Sequence, residues 1–244
     1  SEMCIRDRHG IFSYTTTDGK TIPLASNIDF GSKILSHTVD NNGNCLIEFE
    51  GKFTRIPDRA FQNTKINSNN IAIPNTVTSI GSYAFYNTAI SSHLAIPNSV
   101  TEIGEGAFEN CRELNSLFLP SNLKRIENRT FNACGFSGGL TIPNSVTEIG
   151  EKAFYNCTGF NGTLTLSNKL ETIGESAFNG CSGFTGSLTL PSSVTTIGNA
   201  AFRACGSFTN LELSNTLSVI PAQAFMHCSC LLYTSDAADD LLCV

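Results

Sequence analysis

The sequence predicts an α/β repeat solenoid, a right-handed coil of short parallel strands and short helical turns with a β-hairpin cap at its N-terminal end. Three observations predict it. A similar unit recurs every 23 or 24 residues from Ile47 onward, a period that belongs to stacked supersecondary units. Phe is used 17 times and Trp not at all, which is the skew of a motif copied many times. Of 244 residues, 41% are hydrophobic and 15% charged, so the chain can bury a core without the charge load of a disordered segment.

The units begin at Ile47, Ile71, Leu94, Leu117, Leu140, Leu164, Leu188 and Leu211. Phe fills the fifteenth place of each: Phe61, Phe85, Phe108, Phe131, Phe154, Phe178, Phe202 and Phe225. Ile fills the tenth, from Ile56 through Ile103 and Ile149 to Ile220. Each unit opens with a pattern such as Leu140-Thr141-Ile142, whose alternation points its first and third side chains inward as a short strand. Pro143-Asn144-Ser145 then suits a corner, since Pro removes an amide donor and Asn or Ser can bond the local backbone. A second short extended piece, Val146 to Ile149, ends at Gly150. The stretch Glu151 to Cys157 has the length of one or two helical turns, with Ala153, Phe154 and Cys157 on one side. One unit alone buries too little to offset its ordering entropy, so neighbours must cover both of its faces.

The runs IPNSVTEIGEGAFENC and IPNSVTEIGEKAFYNC resemble the BspA-like, Treponema-type leucine-rich repeat. The resemblance spans residues 47–229 and rests on several fixed offsets in one string. It implies a curved solenoid of cell-surface or secreted proteins, often linked to adhesion. Departures are Glu127, Pro57 and Pro221 at the usual Gly place, and Thr64 and Thr88 at the usual Cys place.

Residues 9–46 precede the repeat. Asp18-Gly19 between Tyr14-Thr15 and Thr21-Ile22 suggests one hairpin, and Asp40 to Gly43 between Ile34–Val39 and Cys45–Phe49 suggests another. Together they would cap the open end of the stack. Residues 1–8 and 230–244 share no pattern with the rest and resemble a translated sequencing adapter, because both can be back-translated to one oligonucleotide on opposite strands. They are set aside from the fold, with any export signal or anchor expected outside this fragment.

A formal charge of −6 argues against a nucleic-acid partner, which requires clustered cations. Six cysteines recur at one repeat place, Cys111, Cys134, Cys157, Cys181, Cys205 and Cys228. Their spacing is unlike zinc-ligand pairs and suits a ladder of small buried thiols. The histidines share no metal-like spacing, and Gly19-Lys20-Thr21 lacks the first Gly of a phosphate loop. No metal, cofactor or catalytic residue is expected, and the chain reads as a non-enzyme.

The outward residue of the first strand runs Glu48, Ala72, Ala95, Phe118, Thr141, Thr165, Thr189, Glu212. Thr141, Thr165 and Thr189 fit ordinary strand preference and equally a flat hydroxyl-lined binding face. Phe118, Tyr86, Tyr155 and Arg125 are the candidate anchors, because aromatics and Arg dominate interface energetics. The expected partner is a protein or glycan on a host, a matrix or a neighbouring cell. The alternatives are a structural spacer and a substrate-recruiting array of a larger surface enzyme.

Overall fold

The structure, a computed structural model, describes residues 10–67, 71, 73–91, 93–228 and the backbone of 232–233. The segments set aside above lie outside this range, apart from that last pair.

Three strands form the N-terminal cap: β1 (Ile11–Tyr14), β2 (Ile34–Val39) and β3 (Cys45–Phe49), antiparallel in the order β1-β3-β2. The hairpin around Asp40–Gly43 is present. The one expected around Asp18-Gly19 is not, because β1 pairs with β3, Phe12 opposite Ile47 and Tyr14 opposite Cys45. Alternation in β1 buries Phe12 and Tyr14, and pairing with β3 carries that face onto the core. Thr21-Ile22 forms no strand.

Two parallel ladders of very short strands follow. In chain order these are β4 (Arg55–Ile56), β5 (Ser79–Ile80), β6 (His93–Ala95), β7 (Glu102–Ile103), β8 (Ser116–Phe118) and β9 (Arg125–Ile126). Next come β10 (Leu140–Thr141), β11 (Glu148–Ile149), β12 (Leu164–Thr165), β13 (Thr172–Ile173), β14 (Gly186–Thr189), β15 (Thr196–Ile197), β16 (Phe208–Glu212) and β17 (Leu232–Tyr233). The first ladder comprises β6-β8, β10-β12 and β14-β16-β17, and the second β4-β5-β7 and β9-β11-β13-β15. Ile stacks on Ile in the second, as Ile149 does between Ile126 and Ile173. The strand Leu232–Tyr233 pairs with β16, Asn210 opposite Leu232 and Leu211 opposite Tyr233.

The helical turns expected over segments such as Glu151 to Cys157 are absent: the described residues contain no helix. Their amides explain why. Ala153, Tyr155 and Cys157 donate three residues back, to Gly150, Lys152 and Phe154. Lys152, Phe154 and Asn156 instead donate to the carbonyls of Glu175, Ala177 and Asn179 in the next rung, at 2.7 to 2.9 Å. A helix would commit every amide to its own carbonyls four residues back. Here alternate amides leave the segment, and left-handed residues such as Lys152 (φ 54°) and Asn156 (φ 57°) turn them outward. The left-handed conformation costs about 1–2 kcal/mol at a non-Gly residue, offset by the bond gained to the neighbouring rung. The outer layer is therefore a third ladder, built of turns. It links every pair of successive rungs, from Arg59 N–H to the Ser82 carbonyl through to Ala204 N–H to the Met226 carbonyl.

Inside, the eight repeat-place phenylalanines form one column, with ring centroids 5.1 to 5.7 Å apart and interplanar angles no greater than 17°. Phe12 of the cap stacks on Phe61 at 5.2 Å, so the cap extends the column. A second column, Phe136, Phe160, Phe184 and Phe208, stands beside it.

Candidate functional site

The coil presents three outward layers, and the candidate residues divide among them. On the first ladder Ala95, Phe118, Thr141, Thr165, Thr189 and Glu212 alternate with buried or partly buried apolar residues and are all exposed. Ala72 lies outside the described residues. Phe118 stands out at 64% exposure, a large apolar ring on a face otherwise made of methyl, hydroxyl and carboxylate groups. The Thr189 hydroxyl donates to Glu212 at 2.9 Å. Arg125 lies on the second ladder, bound to Glu127 at 3.1 Å and Glu148 at 2.9 Å. Tyr86 and Tyr155 sit half-buried on the turn layer. Phe118 and the Thr row thus share a face, while the two tyrosines and Arg125 do not join them.

The thiols are interior groups. All six repeat-place cysteines are free, and each donates to the Phe carbonyl of the preceding rung, Cys157 to Phe131 at 3.0 Å and Cys181 to Phe154 at 3.1 Å. For Phe108, Phe154, Phe178 and Phe202 that carbonyl also accepts an amide within its own turn, as Phe154 does from Cys157 N–H. The thiol takes its second lone pair. Thr88, at a Cys place, likewise donates its hydroxyl to a Phe carbonyl, that of Phe85 at 2.9 Å. The place thus calls for a small donor. Burial pushes Cys111 up to about 11 and Cys157 up to about 12, which keeps the thiols protonated and unreactive at neutral pH.

Two concavities were not legible in the sequence. One is a groove of about 940 Å³ between the cap loop and the first rung, with Ile22, Ile28, Ile56 and Ala60 among its walls. Ion pairs bridge cap and rung beside it, Lys65 to Asp18 at 2.9 Å and Arg55 to Asp29 at 2.5 Å. The other, about 640 Å³, lies between Glu102–Glu105 and Lys124–Glu127. There the second ladder is interrupted between β7 and β9. Elsewhere a Gly at this place brings rungs together: a Cβ on Gly104 would lie 2.5 Å from Ser82 N, and one on Gly198 2.3 Å from Glu175 N. Glu127 carries a Cβ, and its amide lacks the bond that Gly104, Gly150 and Gly174 each make to the preceding rung's Ile. Among the described residues, no three His, Cys, Asp or Glu converge as a metal site would, and no helix is long and apolar enough to cross a membrane.

The sequence profile of the BspA type leucine rich repeat region matches residues 41–161 and 161–235, in 6 copies. The chain belongs to the BspA-type leucine-rich repeat family. Among solved structures, this BspA-type chain is similar to a leucine rich cell surface protein of Faecalibacterium prausnitzii A2-165. The two are 25% identical with a TM-score of 0.52, over 76% of this chain and 58% of that one. A leucine rich repeat protein of Treponema pallidum is 20% identical, TM-score 0.37, over 75% of this chain and 62% of that one. One from Eubacterium ventriosum ATCC 27560 is 22% identical, TM-score 0.43, over 71% and 47%. The BspA-type chain thus spans less than two thirds of the length of each of these. No curated protein matches it.

Proposed function

We propose that the chain is a non-catalytic module of a cell-surface or secreted protein, binding a protein or glycan of a host, matrix or neighbouring cell through the face of its first ladder. The observation that carries this is Phe118, 64% exposed, with Thr141, Thr165 and Thr189 exposed at the same place of the rungs that follow. An isolated aromatic on a small-residue sheet can bury its ring in a partner's pocket while the hydroxyls meet polar groups around it. The Faecalibacterium protein's description as a cell-surface protein supports the compartment.

The test is adherence of the immobilised chain to matrix proteins, cells and glycan arrays. Phe118→Ser should lower binding by roughly thirtyfold, the loss typical of an interface hot spot, with an unchanged melting temperature. Tyr155→Ser, on another layer, should leave binding as it is. Binding that survives Phe118→Ser sinks this reading and favours a spacer.

A further inference from the structure

In the turn layer, carbonyls at three alternating places of the second to seventh rungs accept amides from the rung before. In the second rung these are Ser82, Ala84 and Tyr86, bonded by Arg59, Phe61 and Asn63 at 2.8 to 2.9 Å. Their equivalents in the first rung are Asp58, Ala60 and Gln62. The first rung has the same turn backbone, with Arg59 and Asn63 at φ 56° against Tyr83 and Asn87 at φ 55°. Its three carbonyls therefore face the cap side in the same way. The cap supplies no amide to any of them: among the described residues these carbonyls have no hydrogen-bond partner. Asp58, Ala60 and Gln62 instead border the groove of about 940 Å³.

We propose that this groove is a second binding site, which takes an acidic peptide segment of a partner protein, in the turn conformation of the rungs, as an added rung on the turn layer. The geometry of the acceptors selects the occupant. They recur at every second residue, and a peptide turn with left-handed residues at alternate donor places presents amides with that same period, as Arg59, Phe61 and Asn63 do to the second rung. The protein's own rungs satisfy this row at the intervals that follow. Charge selects the side chains. Lys65 and Arg55 are neutralised by Asp18 and Asp29, whereas Lys20 and Arg59 border the groove without a carboxylate partner among the described residues. Asp58 already accepts the Ser82 amide on its carboxylate at 2.7 Å. The balance is one positive charge, met by an acidic residue on the peptide. Apolar side chains alternating with it would rest on Pro23 and Ile28.

The experiment selects linear peptides from a phage-displayed library on the intact chain and measures them as synthetic peptides. The selected peptides should carry Asp or Glu. They should lose about tenfold or more in affinity, the worth of one or two hydrogen bonds, to each of two variants at exposed positions. Ala25→Trp fills the groove from the cap loop, and Lys20→Glu reverses its charge. N-methylation of a bound peptide should abolish binding at alternate residues and spare those between, which distinguishes backbone pairing from side-chain contact alone. Phe118→Ser should not affect these peptides, so this site and the first-ladder face stand or fall separately. Selection of no peptide, equal affinity for Ala25→Trp, or indifference to the position of the N-methyl group would falsify the proposal.

Discussion

Two intervals of the coil differ at the Gly place of the second ladder. Between the rungs carrying Ile126 and Ile149, Gly150 approaches so closely that an added Cβ would meet Asn128 N at 2.7 Å, and its amide bonds the Ile126 carbonyl at 2.7 Å. Between the rungs carrying Ile103 and Ile126 the same place holds Glu127, the ladder is interrupted and a cleft opens. Yet the turn layer is continuous across both, with Phe108 N–H to the Thr130 carbonyl and Phe131 N–H to the Ala153 carbonyl at 2.9 Å each. The Phe column is only slightly looser at the open interval, 5.7 against 5.4 Å. The β-ladders are thus dispensable locally, while the turn ladder and the aromatic column hold successive rungs together.

The largest expected effect is alkaline unfolding. Burial raises every repeat-place thiol above its ordinary value near 9, Cys157 up to about 12. A folded-state pKa above the unfolded one means stability complete below pH 9 and lost as the pH rises towards 12. A melting series across this window checks it. Cys134, whose thiol bonds Phe108 across the open interval, should be alkylated before Cys181, as peptide mapping would show.

Within the closed region, Phe154→Ser should cost about 4 kcal/mol, read by thermal melting, whereas deleting one whole rung in register should be better tolerated. Planting the open interval's residue in the closed one, Gly150→Glu, should cost roughly 2–3 kcal/mol through overpacking and raise amide exchange at Gly150. The reverse change, Glu127→Gly, should close the cleft and slow exchange of that amide, with a gain of about 1 kcal/mol. Smallest of all, Arg125→Ala removes exposed ion pairs worth at most about 1 kcal/mol, and high salt should mask the difference.

Much of this was legible in the sequence. Invariant Phe and Ile at fixed offsets announce an interior column, and Pro57 and Pro221 in place of Gly mark the atypical first and last units. The outer layer was misread because Ala153, Phe154 and Cys157 have a helix's spacing, while the residues that break the helix are ordinary ones. Lys152, Ala133 and Arg129 adopt positive φ only because a neighbouring rung rewards it, a cause invisible within one unit. Asn63, Asn87, Asn110 and Asn156, joined by Gly180, recur at one place and were the available sign. Tyr14 was assigned to a local hairpin, where turn chemistry pointed, but burial of Phe12 sent the strand to β3 instead. Which of the candidate anchors share a face depends on the coil's cross-section, and the half-burial of Tyr86 and Tyr155 on how the turn layer packs. The groove follows from how cap and rung fit together, which no local pattern encodes.

Rungs bound along their turn edge and parted along another side behave like pages held at the binding. At Glu127 the coil can fan open without tearing its column, so a pull or a bend on the second-ladder side would be absorbed in part at this leaf.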